Sequence, residues 1–207
     1  GVKLRPHLKT AKSARVAAMA LDRGATGITV STLAEAEYFA ANGIKDITYA
    51  VGIVPAKLNQ AADLIADGTD LKIMTDSIEV AQAIAEYAKA HSVSFRVLIE
   101  LDCGDHRAGV QASGDNLIML GSTLAVAGCL EGVLTHAGHS YGVNTAEAIR
   151  RIAEQERDAA VTAAERLREA GFDVATVSVG STPTALFADD LSGVSELRAG
   201  VYTLFDM

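Results

Sequence analysis

Lys9 stands in Arg5-Pro6-His7-Leu8-Lys9-Thr10-Ala11-Lys12, where a short extended segment is expected to run straight into a helix. A lysine at such a junction can point into a site at the end of a strand, and when partly desolvated it becomes a neutral amine able to form a Schiff base. Alone, it reads as an ordinary solvated lysine. A second cluster changes that: Ser178-Val179-Gly180-Ser181-Thr182-Pro183-Thr184. Glycine lets the backbone turn so that successive N–H groups face one point, the hydroxyls add donors, and Pro183 opens a short helix whose N-terminus favours an anion. This is the chemistry of a phosphate cradle. Arg198-Ala199-Gly200-Val201-Tyr202 supplies its second half, with Gly200 letting main chain come close. A plain Ser/Thr/Gly loop with a turn proline has the same composition, so placement in the fold must separate the two.

Further polar groups cluster at Asp102 with Arg107 and at His136 with His139. Two histidines three apart near Asp102 invite a zinc reading, but no third ligand convinces, and Gly138 beside a strand ending at Thr135 reads as a loop. No metal site is therefore expected in this chain; His139 is expected to face whatever group the cradle holds and His136 to be hydrogen-bonded and structural. His7 is expected to turn to the opposite face from Lys9. Met74, Met119 and the scattered tyrosines read as core or helix-face residues.

Those clusters need a scaffold, and the chain repeats one unit to build it. Short apolar runs rich in β-branched residues alternate with segments of helical period. Strands are expected at Leu4 to Leu8, Gly27 to Val30, Asp46 to Ala50, Leu71 to Thr75, Arg96 to Leu101, Glu131 to Thr135, Val174 to Ser178 and Leu197 to Thr203. Between them, Ala14, Ala17, Ala18 and Leu21 share a helix face, and Thr32/Glu35, Asp76/Glu79 and Asn144/Glu147 have capping-box spacing. The longest helix runs from Asn144 to Ala170, where Gly171 stops it. About eight βα units close into a parallel (β/α)₈ TIM barrel whose chemistry lies at the carboxyl ends of the strands. An open doubly wound sheet is the alternative, disfavoured because no Gly-x-Gly-x-x-Gly turn follows the first strand. In the barrel, the cradle falls after the seventh predicted strand and Gly200 at the end of the eighth, where barrels commonly bind phosphate, with Lys9 on the adjoining first strand.

Composition bounds the partners. The 207 residues are 49% hydrophobic and 21% charged, enough for one substantial core. A net charge of −8 without a basic run argues against nucleic acid or an anionic membrane. No membrane span or signal peptide is apparent. Two cysteines, Cys103 and Cys129, are too few for a disulfide framework and read as reduced thiols of a cytoplasmic enzyme.

An amine beside a phosphate cradle suits pyridoxal 5'-phosphate. The whole chain resembles the fold-type III pyridoxal-phosphate enzymes with an alanine racemase N-terminal-like barrel, and within them the D-threonine aldolase and D-serine dehydratase group. The resemblance rests on Arg-Pro-His-Leu-Lys-Thr at 5–10, Gly-His-Ser-Tyr at 138–141, Gly-Ser-Thr-Pro-Thr at 180–184 and Glu-Leu-Arg-Ala-Gly-Val-Tyr at 196–202. It implies Lys9 as the Schiff-base lysine and base, Tyr141 and His139 near the cofactor, Ser178, Gly180, Ser181, Thr182, Gly200, Val201 and Tyr202 around its phosphate, and Arg107 close to the pyridine ring. A guanidinium there would donate to the ring nitrogen without protonating it, which weakens the ring as an electron sink.

Two departures stand out. The family's lysine motif carries a histidine two places after the lysine, where this chain has Ala11. Related aldolases and dehydratases also carry a C-terminal β domain with metal ligands. The expectation is that residues 1–207 are one cofactor-binding barrel domain of a longer protein, with zinc or manganese bound only in the full-length chain and a homodimer as its assembly. The implied activity is a lyase acting on a small D-β-hydroxy amino acid by retro-aldol cleavage or dehydration. An amino-acid racemase and a non-catalytic pyridoxal-phosphate carrier are the neighbouring alternatives, and a sugar-phosphate barrel using Lys9 electrostatically is a third.

Overall fold

The computed structural model describes residues 1–204; Phe205, Asp206 and Met207, just past the expected last strand, lie outside the described residues. Strands and helices alternate as the sequence pattern requires: β1 (Lys3–Leu4), α1 (Ala14–Leu21), β2 (Ile28–Val30), α2 (Leu33–Ala41), β3 (Asp46–Gly52), α3 (Leu58–Ala66), β4 (Asp70–Thr75), α4 (Ile78–His91), β5 (Arg96–Asp102), β6 (Val110–Gln111), α5 (Asp115–Val126), β7 (Leu130–Thr135), α6 (Ala146–Glu169), β8 (Thr176–Val179), α7 (Thr182–Phe187) and β9 (Glu196–Leu197). All pairings are parallel, in the order β1-β9-β8-β7-β5-β4-β3-β2, with β6 hanging off β5. The wall closes between β1 and β2 through Thr26 N to Leu4 O (3.0 Å), Thr29 N to Pro6 O (2.8 Å) and Leu8 N to Thr29 O (2.9 Å). This is the TIM-barrel architecture, and the open sheet is excluded.

Alternation along each strand sorts the side chains into two environments. One face packs on the helices: Ile28 and Val30, Ile47 and Tyr49, Leu71 and Ile73, Val97 and Ile99, Val177 and Val179 join one apolar cluster with helix residues such as Phe39, Leu64, Ile84, Leu120 and Leu167. The other face fills the barrel in layers. At the amino end, a chain of charges runs from wall to wall. Arg5 bonds Asp46 and Glu196; Lys72 bonds Asp46 and Asp70; Arg96 bonds Asp70 and Glu131; Thr176 bonds Glu131 and Ser178 bonds Glu196. Glu131 turns inward because it is an extra residue at a register shift between β5 and β7. Above the charges, Met74, Leu98 and Leu134 form a small apolar layer with Ala50. The active-site end lies over it.

Several expected boundaries shift for identifiable reasons. The first strand's regular ladder covers only Lys3–Leu4, yet Arg5 N and His7 N still bond Leu197 O (2.9 Å) and Ala199 O (2.8 Å), so the extended chain continues to His7; Pro6, without an N–H, leaves its gap on the β2 side. The last strand ends at Leu197 rather than Thr203; a 3₁₀ turn at Val201–Thr203 replaces its end. Ser77, not Asp76, caps α4, because the Asp76 carboxylate accepts from Gly109 N (2.9 Å). Thr145, not Asn144, caps α6, its hydroxyl accepting from Ala148 N (3.2 Å). Thr32 caps α2 as expected, but Glu35 bonds Ser31 N instead of completing the box. On α1, Ala17 is buried and Ala18 faces solvent. Gly171, at φ +87°, ends α6 with Phe172 N bonding Leu167 O (3.1 Å). Cys103 and Cys129 are free and buried. Met119 is exposed, and Met74 belongs to the barrel interior.

Candidate active site

Inward-facing residues at the carboxyl ends of the strands surround a cavity of about 330 Å³. The period of two decides who lines it. From the chain after β1 come His7 and Lys9; from beyond β2, Ser31; from β4, Met74; from β5, Glu100; from beyond β7, His136; from beyond β8, Gly180; from beyond β9, Arg198 and Gly200. His7 and Lys9 both line the cavity, the turn that starts at Leu8 bringing Lys9 to the side of His7, and the expectation that His7 turns away is corrected.

Lys9 sits in a turn between the extended segment and the Ser13 cap of α1, so the chain does not run straight from strand into helix. Its amine is open to the cavity and held below the ordinary lysine range, first by partial desolvation, then by the charges of Arg107 and Arg198. Both cavity histidines are neutral. Burial, reinforced by Lys9, Arg198 and His136, brings His7 down to about 3; its Nδ1 accepts from Lys9 N (3.3 Å), and Nε2 lies 3.5 Å from Ser31 Oγ. Burial, with Arg198 and Arg107, takes His136 to about 4, and its Nδ1 lies 2.8 Å from Gly180 O. With Nδ1–H donating there, Nε2 is left as an acceptor.

The cradle is assembled by the loops after β7 and β8 and by the chain after β9. Gly200 N and Val201 N converge on Thr182 Oγ1 at 3.2 and 3.1 Å, and Thr182 N reaches Tyr141 Oη at 3.2 Å. Two glycines make room: Gly180, at φ +136°, would put a Cβ 2.5 Å from Arg198 O, and a Cβ on Gly200 would lie 2.5 Å from His7 O. Ser181 caps α7 and completes a capping box with Thr184.

Of the residues singled out in the sequence, Lys9, Arg107, Tyr141, Gly180, Ser181, Thr182, Gly200 and Val201 line this cavity. Three do not. Ser178 lies a layer lower, buried between Glu196 and Arg198. His139 faces Asp105, with Nδ1 3.8 Å from its carboxylate. Tyr202 sits in the 3₁₀ turn, outside the lining. Arg107 stands at the rim, 59% exposed, 4.0 Å from Glu100. The buried guanidinium is instead Arg198, which the sequence reading passed over; it bonds Ser178 Oγ and Thr135 O from beneath the cavity. Glu100 is buried opposite it, its carboxyl raised by burial and by Asp76 against the pull of Arg107 and Arg198. Among the described residues, no group of three or more His, Cys, Asp or Glu is placed to hold a metal ion.

Residues 1–207 match the family described as Alanine racemase, N-terminal domain. The chain belongs to that family. A D-threo-3-hydroxyaspartate dehydratase from Delftia sp. (strain HT23) is 53% identical over 209 residues, covering 100% of this chain and 55% of the relative. Its solved structure gives a TM-score of 0.98 over the same shares. A D-serine dehydratase from Dictyostelium discoideum is 34% identical, covering 100% and 56%, and a D-threonine aldolase from Arthrobacter sp is 31% identical, covering 99% and 54%. The chain thus spans about half the length of the curated relatives it matches. Within the alanine racemase N-terminal family, the cavity is the barrel's strand-end site.

Proposed function

We propose that this chain is the cofactor-binding barrel of a pyridoxal-phosphate-dependent lyase acting on a D-β-hydroxy amino acid. The observation that carries the reading is one cavity holding both a depressed lysine amine and a backbone anion cradle. The residues present fit the cofactor. Gly180 and Gly200 let the main chain of Arg198 and His7 close in to where a Cβ would stand, which brings the cradle's backbone together, and Thr182 Oγ1 gathers two backbone N–H groups that an anion's oxygens would take over. When bound, pyridoxal phosphate supplies an aldehyde that condenses with an amine and a ring that withdraws electrons from the bond being broken.

The chain's own groups do the rest. Thr182, Gly200 and Val201 hold the phosphate. Lys9 Nζ is the nucleophile toward the aldehyde and, in dehydration, the proton acceptor at the substrate's α-carbon; its lowered pKa leaves more of it neutral at physiological pH. Arg198 and Arg107 make the cavity cationic, which favours a substrate carboxylate, while His7 and His136 stay neutral and add no competing charge. Tyr141 Oη braces the cradle through Thr182 N. Dehydration or aldol cleavage also requires management of the β-oxygen. A divalent metal suited to that task would take its ligands from outside the described residues. The relatives that match the whole chain are named as dehydratases and an aldolase, which favours lyase over racemase. A cytoplasmic homodimer completes the proposal; no helix of the described residues is long and apolar enough to cross a membrane.

The test is borohydride reduction of the full-length protein loaded with pyridoxal phosphate, followed by peptide mapping, in wild type and Lys9→Ala. The expected result is cofactor fixed to the peptide containing Lys9 and lost in the variant. Cofactor trapped elsewhere, or no trapping in wild type, overturns the assignment.

A further inference from the structure

Glu156 lies outside the cavity, on α6, and is 1% exposed. Its Oε1 accepts from Ala137 N (2.9 Å) and Gly180 N (3.0 Å), and its Oε2 accepts from Thr184 Oγ1 (2.7 Å). One carboxyl therefore ties together the loop after β7, which carries Tyr141, and the loop after β8, which carries Gly180, Ser181 and Thr182. The hydroxyls around it have a single consistent direction. Thr184 spends its proton on Glu156, so Thr184 Oγ1 accepts from Ser181 N (3.1 Å). Ser140 spends its proton on Ala137 O (2.7 Å), so the 2.8 Å contact between Ser140 Oγ and Ser181 Oγ uses the Ser181 proton. Ser181 thus has no hydroxyl proton left for an anion, and Gly180 has no free N–H. What these residues contribute to the cradle is shape, and Glu156 holds that shape.

We infer that Glu156 is a positioning residue for the anion cradle: it sets the β7 and β8 loops so that Thr182 and the Gly200 and Val201 amides converge on a phosphate. The inference rests on the cofactor reading above and deepens it. A plain structural role would weaken every ligand of the barrel equally. Positioning of the cradle weakens only ligands that carry a phosphate, because Lys9 reaches the cavity from the chain after β1 and has no hydrogen bond to Glu156 or its partners.

The experiment titrates cofactor-free full-length protein with pyridoxal phosphate and with pyridoxal, following the absorbance change on binding. In Glu156→Ala, affinity for pyridoxal phosphate is expected to fall tenfold or more beyond any fall for pyridoxal. Glu156→Gln, whose amide oxygen still accepts from Ala137 N and Gly180 N, is expected to restore it to within a few-fold of wild type. Thr184→Val keeps the packing and deletes only the hydroxyl; it carries the test if Glu156→Ala does not fold, with a smaller phosphate-selective loss expected. Equal losses for both ligands, or no loss in any variant, overturn the inference while leaving the cofactor reading intact. A wild type that shows no preference for the phosphorylated ligand overturns the cofactor reading itself, and the inference with it.

Discussion

Arg5→Met tests whether the charges inside the barrel hold its wall together. The Arg5 guanidinium makes three hydrogen bonds: Nε to Glu196 Oε2 at 2.8 Å, and Nη1 and Nη2 to the two oxygens of Asp46 at 2.8 and 3.0 Å. Its side chain is 4% exposed, against 6% for Glu196 and 33% for Asp46. Methionine replaces the stem and removes the charge, leaving Glu196 with only Ser178 Oγ. Breaking a buried pair costs about 3–5 kcal/mol. Asp46 keeps Lys72 and is partly solvated, so the lower end applies: about 3 kcal/mol, or roughly 6–12 °C in Tm for a domain of this size. The pH dependence sharpens the test. In the wild type, burial would raise Glu196, but Arg5 and Ser178 outweigh it and hold the carboxyl below the usual range; that stability is present above the ordinary carboxylate pKa and is lost as pH falls through the folded value. Without Arg5, burial is opposed only by Ser178 and the charge of Arg198, so the same carboxyl moves up and its charged form contributes less at neutral pH. The gap between wild type and variant is expected to narrow between pH 7 and pH 5, measured by urea denaturation at both. A gap at pH 7 below about 1 kcal/mol, the worth of an exposed ion pair, or one that widens on acidification, would refute the reasoning.

Gly180→Ala forces a side chain into a left-handed position against the Arg198 backbone, which is expected to cost about 3 kcal/mol or more; native-like Tm and cofactor affinity in that variant would show that the cradle tolerates a Cβ. His7 and His136, at about 3 and 4 in the folded protein, stay neutral while the unfolded chain takes up protons below pH 6.5. Each is therefore expected to subtract up to about 1.4 kcal/mol of stability per pH unit from there down to its folded value. His136→Gln should flatten that slope by up to one proton, as read from denaturation curves between pH 6.5 and 4.5.

The alternation of strands and helices was legible because parallel strands buried against helices leave runs of β-branched residues, and Thr32, Gly171 and Pro183 mark their joins chemically. Boundaries were less legible where two residues compete for one role. Asp76 and Ser77 can both cap α4; the tie is broken by Gly109, thirty-three residues away, which claims the Asp76 carboxylate. The end of the eighth wall strand was misplaced because Gly200-Val201-Tyr202 looks extended by residue type, whereas the Gly200 and Val201 amides turn toward Thr182.

The site was legible wherever the period of two was carried through. From His7, counting back by two gives Arg5; from Gly200, it gives Arg198 and Glu196, so that in each segment a cavity residue stands above a residue of the charged layer. Arg198 was thus readable from the same motif that yielded Gly200, and its absence from the candidates came from reading that motif for glycine alone. Glu156 needed the other period. Ala153, Ala160, Ala163, Ala164 and Leu167 form the buried stripe of α6, and Glu156 falls on it, three residues after Ala153 and four before Ala160. A carboxyl on an apolar stripe must be paid for by fixed donors, because burying it unpartnered costs several kcal/mol. On a helix that follows β7 and precedes β8, the donors within reach are the loops at those strands' carboxyl ends, so the misplaced charge on the stripe points toward the phosphate cradle.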